Sequence, residues 1–362
     1  MEENYHKNKI IKENDNEIKN DRSNKKCRIF WSIITILSVA ISTGYGSQVK
    51  YSLLNDDPKH FFPPYTMMWF NNCCLIICFP LFLFYEKCIK KNQMSLKELT
   101  SKSSRIFSDD GFRFGPFFLK EFFFLCLYTF GNYSYALSLG KISSSAALTI
   151  RSFEVSVVYI FGRIVLKDKF NIFKTIAVFL AMIGVISIAL DKEFAANIIG
   201  FLLVLLSCLS DSTYKVTFKL ISGEQASLGE GMLFLSGMAI VNLPLNFLPT
   251  SILVYFGYDI WQWDSVPWGN FLNFVFLTFV FNIATIFGVA ALGPLSIVIG
   301  VLCGIPISIV IDVILRGKHL TVTFVIGAVS LITSAILANF HQQLGYLFKG
   351  DKRENRRNEQ NI

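Results

Sequence analysis

The amino-acid sequence predicts an all-α membrane protein, with ten transmembrane helices arranged as two inverted five-helix repeats. Composition is the first of three observations behind this prediction. Of the 362 residues, 52% are hydrophobic, 36 are phenylalanine and only 17% are charged, and the mean hydropathy is +0.47. A chain of this composition is far too apolar for a soluble two-domain protein, so most of it is expected to lie in a lipid bilayer.

The second observation is a series of apolar stretches, each long enough to cross a bilayer as a helix. The connections are too short for a separate soluble domain, apart from the loop 86–115. Polar segments at 1–27 and 341–362 predict two tails outside the membrane, and the first, rich in Asn, Lys and Glu, is expected to be disordered. The ten stretches lie near 28–49, 63–85, 116–139, 143–165, 170–190, 195–220, 230–256, 267–292, 293–315 and 320–340.

The third observation is a similarity between the fourth and ninth stretches. A Leu-Gly pair precedes or opens each of the segments 143–169 and 292–317, and a short basic run closes each. Five stretches precede Asp191 and five follow it, so the similarity indicates a duplication with repeats at 28–190 and 195–340. A repeat with an odd number of spans inserts its second copy upside down, which predicts an inverted repeat about an axis in the membrane plane.

The ninth stretch contains small and helix-bending residues. Gly300, Gly304 and Pro306 stand where a simple membrane anchor would carry leucine. Glycine lets a neighbouring helix approach closely, and proline removes a backbone hydrogen bond within its own helix. We therefore expect this helix to pack tightly against a neighbour and to bend at these residues, which form a candidate hinge.

The distribution of basic residues predicts the orientation. The net charge of +8 is not read as a nucleic-acid footprint, because the basic residues lie in tails and loops. If both tails are cytosolic, 27 of the 34 Lys and Arg residues lie on the cytosolic side, 6 including Lys50 lie on the other side, and Arg151 lies within a span. Since cytosolic loops carry an excess of Lys and Arg, both tails are predicted to be cytosolic. The sequence leaves the plasma membrane and internal membranes equally open.

A charged pair inside the fourth span is the first candidate for function, since charge in hydrocarbon is costly and usually functional. Glu154 stands near the middle of this span, and Arg151 lies three residues before it on the same helical face. Glu154 is therefore expected either to pair with Arg151 or to hold a proton. The alternative is an ion pair that only holds helices together.

The sixth span carries a second polar series. Asp211, Lys215 and Lys219 follow one another at i, i+4 and i+8, with Tyr214 beside them. This spacing places the charges on one helical face, where a charged solute would meet them. The alternative is that the lysines simply extend their ammonium groups to the membrane surface, because the cytosolic end of the span is near.

Amide and carboxyl groups in other spans complete the set of polar candidates. Asn132 and Asn282 lie within the hydrocarbon depth, where an amide needs partners. Helix association and substrate contact both account for such amides. Asp312 lies toward the end of the ninth span and is expected to pair with Arg316 at i+4.

No feature of the sequence predicts an enzyme. The four histidines lie outside the spans or at their edges, and the eight cysteines show neither metal-ligand spacing nor a disulfide framework. The commonest metal ligand and general base is thus missing from the predicted spans. We expect no catalytic residues, no metal site and no cofactor.

Several short runs form a pattern that is specific to one family. They are Ile164-Val165-Leu166-Lys167-Asp168-Lys169-Phe170, Tyr214-Lys215-Val216-Thr217-Phe218-Lys219, Gly229-Glu230, Leu233-Phe234-Leu235-Ser236, Val266-Pro267-Trp268-Gly269-Asn270, Phe281-Asn282, Gly300, Ile305-Pro306 and Ile311-Asp312. The pattern resembles the thiamine-transporter-like branch of solute carrier family 35, subfamily F, over about 143–312. Two residues depart from it: Arg163 stands where a tryptophan is expected, and Asp211 where a small or weakly polar residue is expected.

The resemblance implies the fold of the drug/metabolite transporter superfamily and a secondary transporter that moves thiamine or a similar organic cation by alternating access. A cationic aromatic solute requires a buried carboxylate, which Glu154 or Asp211 would supply, and aromatic faces for cation–π contacts. The candidate aromatic contacts are Tyr128, Tyr135, Tyr214 and Trp69.

Two other interpretations remain open. A carrier of an anionic metabolite, such as a nucleotide sugar or a phosphorylated compound, would hold its solute with Arg151, Lys215 and Lys219. A non-transporting membrane scaffold belongs to another class, and it would need neither charges nor glycine and proline breaks in its spans. The expected partners are a small-molecule substrate and the lipid bilayer; a homodimer is allowed, and nucleic acid is not expected.

Overall fold

The computed structural model describes residues 33–91, 93–108, 113–165, 172–190, 197–222, 227–292, 294–317, 319–334 and 337. Side chains are described within these ranges except at 155, 173, 174, 177, 189, 219, 222, 286–299 and 302. The predicted tails 1–27 and 341–362 and the side chain of Lys219 therefore lie outside the described part.

The described part is helical, apart from one short antiparallel pair of strands. Helices occupy each of the ten apolar stretches predicted from the sequence, and the loop 86–115 contains a further short helix. In chain order the elements are α1 (33–55), β1 (Phe61–Phe62), α2 (Pro64–Ile89), α3 (Leu96–Ser103), α4 (Phe114–Leu139), α5 (Ser144–Arg151), α6 (Glu154–Val165), α7 (Ile172–Ala189), α8 (Ile198–Ser222), α9 (Leu228–Tyr255), β2 (Ile260–Trp261), α10 (Trp268–Leu292), α11 (Pro294–Arg316) and α12 (Val322–Ser334).

Five helices of the described part are long and apolar enough to cross a membrane, judged by length and composition. A bilayer core requires about 20 helical residues. The fourth predicted span falls short because turns at Ser152 and Phe153 divide it into α5 and α6, of 8 and 12 residues. The five are Pro64–Ile89, Phe114–Leu139, Ile198–Phe218, Leu228–Tyr255 and Trp268–Thr285.

Side-chain caps define where several helices begin. Ser143 precedes α5 and its hydroxyl accepts a hydrogen bond from the backbone N–H of Ala146, at 3.4 Å. Ser227 and Glu230 form a capping box at the start of α9, in which each side chain bonds the other residue's backbone N–H. These bonds satisfy N–H groups that the first helical turn cannot pair internally.

The connection between α9 and α10 caps α2 from outside. Asp259 is buried, and its Oδ2 accepts hydrogen bonds from the backbone N–H groups of Tyr65 and Thr66, at 3.0 and 2.7 Å, and from the Thr66 hydroxyl at 2.9 Å. Burial raises the pKa of Asp259, and these hydrogen bonds act in the opposite direction. A carboxylate at a helix N-terminus is favourable, so this contact connects the two halves of the chain.

Glycines bring α1 and α11 into backbone contact. A Cβ added at Gly304 would lie 3.0 Å from the carbonyl oxygen of Ala40 and 3.0 Å from the backbone nitrogen of Gly44. A Cβ at Gly300 would lie 2.9 Å from Val39 Cβ. The close packing expected for the ninth stretch is therefore present, and α11 runs through Pro306 as one helix. Whether the three residues act as a hinge stays a prediction.

Candidate functional site

A cluster of charged and aromatic side chains lies between α1, α4, α5 and α8. Arg151, at the end of α5, forms an ion pair with Asp211 of α8, and its guanidinium lies 4.8 Å from the centre of the Tyr135 ring. The Asp211 side chain is 9% exposed and that of Arg151 is 26% exposed. Gly131 makes room for this pair, because a Cβ there would lie 2.5 Å from Asp211 Oδ1.

A second ion pair joins α6 to α8. Glu154 begins α6, and its carboxylate binds the ammonium group of Lys215. The expected pair of Glu154 with Arg151 is wrong, because Glu154 pairs with Lys215 instead. The turns at Ser152 and Phe153 separate Arg151 from Glu154, so the two residues are not on one continuous helical face. The Lys215 side chain is 57% exposed and that of Glu154 is 12% exposed, so this pair is the more accessible of the two.

Lys50 belongs to the same cluster, although the sequence placed it on the outer surface. Its ammonium nitrogen lies 5.2 Å from the centre of the Tyr135 ring and 5.9 Å from that of Phe274, and the residue is only 5% exposed. Within the described residues it forms no salt bridge with a carboxylate. The first apolar stretch ends at Val49 and so leaves Lys50 outside the predicted span, whereas α1 continues to residue 55. The apolar residues Leu53 and Leu54 were the available signal.

Hydroxyl groups connect the cluster to α1 and α5. The Ser47 hydroxyl lies 2.6 Å from the Tyr135 hydroxyl and 2.7 Å from the Ser144 hydroxyl. All three residues are buried. These bonds hold the Tyr135 ring beside the two cations that face it, so the aromatic group is positioned independently of any solute.

A separate polar network joins α1, α5 and α11. Asp312 pairs with Arg316 at 2.5 Å, which confirms the expected i, i+4 contact, and it also accepts the backbone N–H of Ser145 at 2.9 Å. Gln48 accepts a hydrogen bond from Arg316 and donates to the Ser308 hydroxyl at 2.9 Å. The network lies beside the charged cluster along α1, because Gln48 and Lys50 are two residues apart.

The remaining predicted site residues lie on α2, α4, α8 and α10 and take no part in the two ion pairs. Tyr128 and Tyr214 contact each other, with 6.1 Å between ring centres. The amide nitrogens of Asn132 and Asn282 donate to carbonyls four residues earlier, at 3.0 and 2.8 Å, so part of their hydrogen-bonding capacity is used locally. Trp69 packs on α9 instead, where its indole donates to a backbone carbonyl at 3.3 Å.

The cluster combines opposite charges with aromatic rings. It contains three basic side chains (Lys50, Arg151 and Lys215) and two acidic ones (Asp211 and Glu154), and two of the cations face the Tyr135 ring. No group of three potential metal ligands occurs among the described residues. The arrangement offers exchangeable charges and aromatic faces to a small organic ion.

Known proteins are similar to this chain over most of its length. No family model matches it. Solute carrier family 35 member F3 of Homo sapiens is 30% identical over 322 residues, which are 88% of this chain and 73% of that protein. Member F4 of Mus musculus is 30% identical over 268 residues, 72% of this chain and 53% of that protein. An uncharacterized transporter of Schizosaccharomyces pombe is 24% identical over 333 residues, 86% of this chain and 96% of that protein.

The similarity and the helices agree on the class of molecule. The human relative matches this chain across both predicted halves, and the described helices include five that are long and apolar enough for a bilayer. The protein is therefore a multi-pass membrane protein. It belongs to subfamily F of solute carrier family 35.

Proposed function

We propose that this protein is a secondary transporter that moves a small organic solute across a membrane by alternating access. The observation that carries the proposal is the buried charged cluster between helices of the two chain halves. Arg151 and Glu154 come from the first half, and their partners Asp211 and Lys215 come from the second. Substrate sites of secondary transporters lie at such interfaces between repeats, where movement of one half against the other exposes them alternately.

The helix contacts support ten spans in two inverted repeats, and the excess of basic residues in the tails and cytosolic loops supports two cytosolic tails. In such a repeat each span of the first half corresponds to the span five positions later. Each contact between two spans therefore has a counterpart between the two corresponding spans. The fourth span packs on the sixth through α6 and α8, and its counterpart would be the contact of the ninth span with the first. That counterpart is the close glycine contact of α11 with α1. The second span contacts the seventh through α2 and α9. These two spans correspond to each other, so this contact is its own counterpart.

An organic cation such as thiamine is the proposed solute. Glu154 would supply the counter-charge, because its partner Lys215 is more than half exposed and can move its ammonium group into water when a cation replaces it. Tyr135 and Tyr128 would supply aromatic faces, which attract cations by about 0.5–2 kcal/mol each. Asp211 is a weaker candidate, since its arginine partner is mostly buried.

A second candidate is an anionic solute, favoured by Lys50. This buried lysine has no carboxylate partner in the described part of the chain, and Arg151 faces the same tyrosine ring. A phosphate or carboxylate between the two would neutralise a buried charge that is costly when it stands alone. A nucleotide sugar or a phosphorylated metabolite has this chemistry.

Thermal unfolding of the purified protein tests the two candidates, since a ligand that binds only the folded state raises the melting temperature. The probes are thiamine, thiamine phosphates and UDP-glucose. For a cation, Glu154→Gln abolishes the shift caused by thiamine, and Lys50→Gln preserves it. For an anion, Lys50→Gln abolishes the shift caused by UDP-glucose or thiamine phosphates, and Glu154→Gln preserves it. Shifts that neither substitution changes would contradict binding at this cluster.

A further inference from the structure

We propose that Glu121 is a proton-binding site that couples transport to the movement of protons; the coupling, though not the proton site itself, rests on the proposed transport function. Glu121 lies on α4 and is 0% exposed. Neither of its carboxyl oxygens has a hydrogen-bond partner in the described part of the chain. It is therefore a fully buried carboxyl group without a counter-charge.

The surroundings of Glu121 are apolar and closely packed. From α9, Gly237 lies so close that a Cβ there would collide with Oε1 of Glu121 and lie 2.8 Å from the Phe117 ring. Lys120 is the nearest basic neighbour in sequence, but its ammonium group donates to the carbonyls of Ile106 and Phe107. The adjoining apolar cluster includes Leu75, Cys78, Phe82, Phe124, Phe234 and Met238.

Few titratable groups face this position. From α8, the Tyr214 ring packs on Phe124, three residues after Glu121, with 5.3 Å between ring centres. From α2, the Cys78 thiol belongs to the same cluster. The segment of α9 that contacts Glu121 contributes Gly237 and apolar residues. None of these groups supplies positive charge.

This environment selects the protonated carboxyl group. An ionised carboxylate without a partner is far more costly in an apolar interior than the neutral acid. Glu121 therefore holds a proton in the conformation described here, and it releases the proton when a conformational change admits water. A buried acid that alternates between these states is how transporters use a proton gradient.

The proton site is distinct from the charged cluster but connected to it through α8. Glu121 precedes Gly131, which faces Asp211, by ten residues, or about 15 Å along α4. Tyr214 of α8 packs on Phe124 and Tyr128 of α4, with 5.3 and 6.1 Å between ring centres, so it lies against the stretch of α4 that connects the two sites. The packing of α4 on α8 is extensive, so movement of α8 would alter both environments together.

The first experiment tests the proton site without any solute. Unfolding of the wild-type protein releases the Glu121 proton at neutral pH. The folding equilibrium constant of the wild type therefore falls by up to about tenfold for each unit that the pH rises, compared with the same constant for Glu121→Gln. The control is Glu98→Gln, which changes an exposed capping carboxylate and leaves the pH slope unchanged. The infrared band of a protonated carboxyl group, present in the wild type and missing in Glu121→Gln, gives a second readout. Equal pH slopes together with an unchanged band overturn the proposal.

The second experiment tests coupling in proteoliposomes, with labelled thiamine and labelled UDP-glucose as probes. Exchange of labelled for unlabelled probe continues in Glu121→Gln, whereas stimulation of uptake by a pH gradient is lost. Gradient-stimulated uptake that persists in Glu121→Gln overturns the coupling. If wild-type protein exchanges neither probe, transport of these solutes fails as a proposal, and the unfolding and infrared measurements still decide the proton site.

Discussion

The two ion pairs of the charged cluster predict losses of stability of different size. Asp211→Asn keeps the shape of the side chain but leaves the Arg151 guanidinium, 26% exposed, without its counter-charge. Removing one partner of a buried pair costs about 3–5 kcal/mol. Partial exposure places this pair near the lower value, and loss of the carboxylate also leaves Arg151 and Lys50 as two cations on the Tyr135 ring. We therefore expect about 3 kcal/mol of destabilisation.

Glu154→Gln provides the matched comparison, because it also replaces a carboxylate with an amide. It leaves Lys215, whose side chain is 57% exposed and can move its ammonium group into water, and ion pairs with such exposure contribute only about 0–1 kcal/mol. At about 2 °C per kcal/mol for a large chain, Asp211→Asn should lower the melting temperature by about 6 °C and Glu154→Gln by no more than about 2 °C. Thermal unfolding in detergent, followed by tryptophan fluorescence, measures both shifts.

A double substitution separates loss of charge balance from loss of packing. Arg151→Gln together with Asp211→Asn removes both charges, so it should be less destabilising than Asp211→Asn alone. Equal melting temperatures for Asp211→Asn and Glu154→Gln would refute the distinction between a buried structural pair and an accessible exchangeable pair. The assignment of Glu154 as the preferred counter-charge would then lose its support.

Three further predictions follow from contacts elsewhere in the fold. Leucine at Gly304 should block transport while leaving membrane insertion intact, because even a Cβ there would lie 3.0 Å from the α1 backbone; unchanged uptake of a transported probe would refute the hinge proposal. Asp259→Ala should destabilise the protein by about 1–2 kcal/mol, since three hydrogen bonds at the start of α2 are lost, and a melting temperature equal to that of the wild type would contradict this. Protease protection of sealed vesicles should find both tails on the cytosolic side, and tails on opposite sides would refute an even number of spans.

The positions of the helices could be predicted from the sequence because they depend on local properties. Long apolar stretches must form helices in a bilayer, since unpaired backbone groups are costly there. The start of α5 at Ser143 and that of α9 at Ser227 use side-chain caps visible in the sequence. The contact between Asp312 and Arg316 was predictable for the same reason, because both residues lie on one helix, four positions apart.

The partners of the charged groups were decided by the tertiary structure. Arg151 and Glu154 are three residues apart, yet the break between α5 and α6 directs each to a different residue of α8. Helical spacing could not reveal this, because the choice of partner depends on how α8 is rotated and at what depth it packs. The burial of Lys50 has the same origin, since α1 extends past its apolar stretch and lies beside Tyr135.

Glu121 shows most directly which properties depend on the sequence and which depend on the tertiary structure. In the sequence it is one carboxylate near the start of a long apolar helix, where it would be expected to reach the membrane surface. In the fold, α9 presents Gly237 to it, and the missing side chain of that glycine lets the two helices close over the carboxyl group. The sequence by itself determined that an acid lies within a membrane helix. Only helix packing decided that it is buried without a partner, because burial depends on the neighbouring helix and not on the residue itself.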